Sequence, residues 1–131
     1  MSIQMELHKI IISEMQPEQI IVLKEVDGER KFPIVIGSNE AYAIDRRLKG
    51  IPTPRPLTHD LLANIIENMG GNIDHIEIND LQAHTFFARI HIRQNGKTIE
   101  IDSRPSDAIA LGIANVVPIF VAEHVLEEVS R

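Results

Sequence analysis

At 131 residues, with 44% apolar and 24% charged side chains, the chain is expected to form one globular domain around one core. The absence of cysteine excludes disulfides, thiolate nucleophiles and Cys-type zinc sites, and no run has the length of a membrane span or the pattern of a signal peptide, so a cytoplasmic, non-membrane protein is expected. A net charge of −6 excludes broad neutralisation of phosphates by a basic surface; with one Tyr, four Phe and no Trp, any contact with nucleic acid should be local.

The opening third alternates with period two. Met5 to Ser13, Ile20 to Glu25 and Lys31 to Ile36 predict an antiparallel meander whose turns are marked by Pro17 and Asp27-Gly28. His8 and Lys9 belong on a solvent face of it. Gly37 ends the third strand, Ser38 is the expected N-cap, and Asn39 to Lys49 reads as a helix with Ala41, Ile44 and Leu48 inward. Glu40 falls in its first turn, where it either complements the helix dipole or points into a site. Arg46, Arg47 and Lys49 read as a solvated face.

Pro52, Pro54 and Pro56 predict a stiff extended loop that holds Arg55 in place. Thr58 should then cap a helix running through Met69, with Leu61, Leu62, Ile65, Ile66 and Met69 as its apolar stripe and Gly70-Gly71 as its stop. Asn72 to His84 contains a strand, and Phe86 onward alternates as another. The Asn95-Gly96 dipeptide predicts a tight hairpin pairing Gln94 with Lys97, His91 with Glu100 and Arg89 with Asp102. In that register Ile90 and Ile92 meet Ile101 and Ile99 on one face and bases meet acids on the other. It also offers Asp102 a salt-bridge partner in Arg89, which would make Asp102 structural.

From Ile101 to Leu111 strand spacing turns into helical spacing. Pro105 suits a first helical turn, Ser106 or Asp107 can accept from free N–H groups, and a helix start attracts phosphate. Good capping alone accounts for this stretch without any chemistry. Val116 to Val121 suits a buried strand and Glu123 to Val129 a short closing helix. The expected fold class is α+β, a mostly antiparallel mixed β-sheet with helices packed on it, in a single domain spanning 1–131.

The run Asp102-Ser103-Arg104-Pro105-Ser106-Asp107-Ala108-Ile109-Ala110-Leu111, with Pro118 to Val121 and Glu123 to Leu126 after it, resembles the signature of the bifunctional nuclease domain family. Gly37 to Ala41 and Arg55 to Leu61 resemble that family's other two blocks. The resemblance implies hydrolysis of phosphodiester bonds in both RNA and DNA.

Such hydrolysis needs an activated water or hydroxyl, charge stabilisation at phosphate and a proton for the leaving oxygen. His59, Asp60, Asp102, Asp107 and Glu40 are the catalytic candidates, and Arg55, Arg104 and Ser106 the phosphate-binding ones. From the number of carboxylates, Asp60, Asp102 and Asp107 are expected to hold Mg2+ or Mn2+, with Glu40 or Glu123 as further donors. His59 is the expected acid or base. No organic cofactor is expected, and the sequence lacks a His-Glu-x-x-His pair, a strand-to-helix glycine loop and a nucleophile elbow. The rival reading is a non-catalytic regulatory module that binds a protein partner or an anionic small ligand, which the acidity and sparse aromatics favour. Exposed strand edges suggest a homo-oligomer, with a dimer favoured.

Overall fold

The computed structural model describes residues 1–130. β1 (Ser2–Ile11), β2 (Glu18–Glu25) and β3 (Lys31–Gly37) form the expected antiparallel meander, followed by α1 (Ser38–Leu48) and α2 (Thr58–Asn68). β4 (Gly71–Gln82), β5 (Thr85–Gln94) and β6 (Lys97–Ser103) make a second antiparallel run, and α3 (Pro105–Asn115), β7 (Ile119–Ala122) and α4 (Glu123–Val129) close the chain. β7 joins the two runs: Ile119 lies opposite Met5 of β1 in antiparallel pairing, and Val121 opposite Ile78 of β4 in parallel pairing. The result is one mixed seven-stranded sheet, β3-β2-β1-β7-β4-β5-β6, in an α+β domain.

Two bulges in β4, between Ile73 and His75 and between Ile78 and Asp80, disturb its pairing with β5 and sharpen the local twist. The sheet coils far enough for its two ends to meet. Phe32 of β3 and Phe86 of β5 have ring centroids 5.7 Å apart, although four strands separate them in the sheet order. This curvature brings the end of β3 towards the end of β6, where the helices begin.

α3 is the helix around which the core closes. Ala108, Ile109, Ala110, Leu111 and Gly112 are all buried, so the helix is covered on every side by α1, α2, β4 and β5. Gly112 is where α3 and β4 approach most tightly: a Cβ added there would lie 2.8 Å from Cγ1 of Ile76, a side chain with no exposed surface. Alanine normally stabilises a helix by about 1 kcal/mol over glycine. Here Gly112→Ala is expected to destabilise the fold by about 1–3 kcal/mol in a denaturant melt, because overpacking outweighs propensity.

α2 departs from the sequence expectation. Its stripe does not enter the core: Leu61, Leu62, Ile65 and Met69 remain between 43% and 69% exposed, and no residue of the helix is fully buried. The helix lies against α3 and the start of β4, with no element outside it, so only Ala63 and Ile66 turn inward. The helix caps also shift by one residue. Gly37 and Leu57 take the N-cap positions, and Ser38 uses its hydroxyl instead to donate to the Pro17 carbonyl at 2.8 Å.

Candidate functional site

The hairpin register fixes the end of β6, with Ser103 opposite Ala88, and α3 starts two residues later. That places Arg104 at the N-cap of α3 and Asp107 in its first turn. Arg104 donates to Asp107 Oδ2 through Nε at 2.9 Å and Nη2 at 2.8 Å, and the same Nη2 lies 3.1 Å from Glu40 Oε1. On the other side, Asp107 Oδ1 lies 3.1 Å from Nε2 of His59, in the first turn of α2. The first turns of three helices are thereby linked into one chain: His59, Asp107, Arg104, Glu40.

An ionised carboxylate can only accept, so the hydrogen of His59 sits on Nε2 and Nδ1 is left as the basic nitrogen. Among the described residues Nδ1 has no partner. Side-chain exposure rises from 15% at His59 through 35% at Asp107 to 66% at Arg104, and falls to 11% at Glu40. The Asp107 carboxylate, and Glu40 after it, hold the Arg104 guanidinium above its ordinary value, so it stays a cation throughout. Glu40 owes its position to Gly37, since a Cβ there would lie 3.0 Å from Glu40 Oε1.

The other expected residues are placed elsewhere. Asp60 turns back over its own helix start: Oδ2 accepts the Leu57 N–H at 3.2 Å, and Oδ1 is bridged by Arg47. Asp102 remains exposed on β6, and Arg89, its cross-strand neighbour, turns instead to Glu100 at 3.5 Å. Glu123 pairs with Arg30 at 3.0 Å. The structure therefore does not bring Asp60, Asp102 and Asp107 into one donor set, and among the described residues no three His, Asp or Glu side chains are grouped to hold a metal ion. Arg55 is exposed on its loop, and among the described residues its guanidinium has no ion pair. Ser106 is 7% exposed, and its hydroxyl has no partner among the described residues.

Two contributors had no signal in the sequence. Arg47, read as solvated surface, anchors Asp60, and Gly37, read as a strand end, makes room for the Glu40 carboxylate. Next to the chain of four lies a groove of about 490 Å3, walled by Glu18 of β2, by Pro33 to Gly37 of β3, by His84 to Phe86 and by Arg104 to Ser106.

A family model of the bifunctional nuclease domain matches residues 21–131, a span that includes all four linked residues. The chain belongs to the bifunctional nuclease domain family. It is 39% identical over 119 residues to an uncharacterized protein of Mycobacterium tuberculosis strain H37Rv, covering 91% of this chain and 71% of that one. It is 28% identical over 114 residues to bifunctional nuclease 1 of Oryza sativa subsp. japonica, covering 84% of this chain and 34% of the rice protein. Bifunctional nuclease 1 of Arabidopsis thaliana is 23% identical over 117 residues, 86% of this chain and 36% of the plant protein. This bifunctional nuclease domain thus spans about a third of the plant enzymes it resembles. Among its described residues no helix is long and apolar enough to cross a membrane.

Proposed function

We propose that the protein is a nuclease that hydrolyses phosphodiester bonds of RNA and DNA at the His59–Asp107–Arg104–Glu40 chain. The observation that carries this reading is the meeting of two carboxylates, Glu40 and Asp107, at one cationic position beside a histidine with a free nitrogen. His59 Nδ1 accepts the proton of the attacking water, Asp107 fixes the ring and offsets the positive charge it gains, and solvent water protonates the leaving oxygen as the P–O bond breaks. Arg104, the most exposed member, directs its remaining N–H groups to the phosphate, and Ser106 adds a hydroxyl donor.

Two carboxylates facing one guanidinium leave the site with a negative balance, which opposes an incoming phosphate. That balance suits Mg2+ or Mn2+, which commonly bind through one or two carboxylates together with substrate phosphate oxygens. Glu40 and Asp107 would hold the ion, in place of the Asp60, Asp102 and Asp107 set expected from sequence. When bound it supplies charge neutralisation at the phosphate.

Cleavage of labelled single-stranded RNA, single-stranded DNA and duplex DNA by highly purified protein tests the proposal. Cleavage is expected with Mg2+ or Mn2+ and is expected to vanish in EDTA. Cleavage that persists in EDTA takes the metal out of the mechanism. No cleavage under any condition, with oligonucleotide still bound, turns the reading to a binding module.

We also propose a homodimer formed along β6. This edge strand carries no proline, whereas the opposite edge, β3, is interrupted by Pro33. Ile99 and Ile101 are 39% and 43% exposed on it. A stable interface buries ~800 Å2 per partner, more than these two side chains offer, so main-chain pairing along the strand would supply the rest. Antiparallel pairing of two β6 strands would set Ile99 opposite Ile101 of the second copy. Light scattering is expected to give twice the 14.7 kDa chain mass, reduced to one chain by Ile101→Lys. The cysteine-free composition suits a cytoplasmic setting.

A further inference from the structure

The groove between β3 and the β4–β5 turn has no role in the proton-transfer chain, yet it opens onto that chain. Gly37, which backs the Glu40 carboxylate, lies on one of its walls, and Arg104 and Ser106 lie on another. We infer that this groove holds one unpaired nucleotide next to the bond being cut, making single-stranded nucleic acid the preferred substrate; the inference rests on the nuclease reading above.

Three observations carry it. The volume of about 490 Å3 falls within the range of sites that enclose one small ligand, enough for a single nucleotide and too small to enclose a base pair with both its backbones. The start of α3 supplies hydrogen-bond donors. Ser106 is buried with its hydroxyl unpartnered, Arg104 brings a guanidinium, and no side chain caps the first N–H groups of α3. These are donors suited to a phosphate. The rest of the lining sets apolar Pro33, Val35, Phe86 and Pro105, which suit a base or sugar face, beside Glu18, His84 and Thr85, and the Glu18 carboxylate confines an anionic phosphate to the Arg104 and Ser106 side. Beside it, the outer edge of β3 has main-chain groups that pair with no other strand.

The rim is also strained. Ala83 and His84 have φ of +48° and +67°, although neither is glycine, and such backbone is maintained where the surrounding structure imposes it. A duplex would have to release a nucleotide to use this groove, which costs unpairing and unstacking energy that a single strand does not incur.

The test pairs binding with cleavage. Labelled protein is titrated with adenosine monophosphate, inorganic phosphate and adenosine while amide chemical shifts are followed. Adenosine monophosphate is expected to move the amides of Val35, Thr85, Phe86 and Ser106, and phosphate alone only that of Ser106. Val35 is 59% exposed, so Val35→Glu and Val35→Lys should both fold. The glutamate variant is expected to weaken nucleotide binding ~10-fold or more by charge repulsion at the wall, and the lysine variant to retain it. Val116→Glu, at the far end of α3 and 90% exposed, controls for a general charge effect and should change nothing.

A single-stranded oligonucleotide is expected to show at least ~10-fold higher kcat/KM than the same strand in a duplex. Equal cleavage of both strand types overturns the single-strand inference and leaves the nuclease intact. Nucleotide-induced shifts that avoid the groove overturn the subsite whatever the cleavage assay gives. Absence of all cleavage with the groove shifts present sinks the nuclease reading and retains the nucleotide site.

Discussion

Replacing His59 by alanine is expected to lower kcat by ~100-fold or more on RNA and DNA alike, with little change in KM, because the change removes a proton acceptor and leaves the phosphate donors in place. His59→Gln is the sharper variant. Glutamine can still donate to Asp107 Oδ1 but takes up no proton near neutral pH, so it should match the alanine variant in rate and the parent protein in melting temperature. A matched melting temperature with an unmatched rate separates a chemical role from a structural one. Asp107→Asn is expected to cost at least as much, since the amide keeps one acceptor oxygen where His59 and Arg104 use two, and it removes the charge of one of the two metal donors. Contaminating nucleases mimic weak activity. An unchanged rate in His59→Gln and Asp107→Asn of matched stability would assign any observed cleavage to such a contaminant or to another site.

What the sequence made legible is what short-range pattern controls. The β5–β6 register followed from Asn95-Gly96 and from two faces that agree with each other, and it was observed pair for pair from Gln94 with Lys97 to Arg89 with Asp102. The start of α3 followed from Pro105, and the closing helix from Glu123 to Val129 was placed to the residue. The His59–Asp107 contact joins two helix starts whose candidate residues were named from the sequence. The use of each carboxylate was not legible, because long-range partners decide it. Asp60 and Asp107 occupy like positions in two helix starts. Asp60 meets Arg47 from the end of α1, and Asp107 meets Arg104 and, through it, Glu40 from the start of α1. Likewise, an apolar stripe has the same spacing whether or not another element covers it, so the periodicity of α2 could not show that Leu61 and Met69 stay exposed. The insertion of β7 between β1 and β4 depends on pairings across the whole chain, beyond the reach of local pattern.

Arg104→Ala is the change expected to disturb both the fold and the chemistry. Without the guanidinium, Glu40, 11% exposed, and Asp107 face one another with no cation between them. Removing one partner of a buried pair costs several kcal/mol, but Arg104 is 66% exposed and solvent screens much of this, so a loss of about 1–2 kcal/mol is expected. Glu40→Gln added to Arg104→Ala should recover much of that loss, because the double variant no longer opposes two carboxylates. Magnesium supplies the sharper test. If Glu40 and Asp107 form a cation position, Mg2+ should raise the melting temperature of Arg104→Ala more than that of the parent protein, because an ion that binds only the folded state takes over the neutralisation lost with the guanidinium. The Glu40→Gln double variant should lose that response. A melting temperature indifferent to Mg2+ in all three proteins would leave Arg104 as the only cation the two carboxylates are built to hold, and hydrolysis would then rest on His59 and the guanidinium alone.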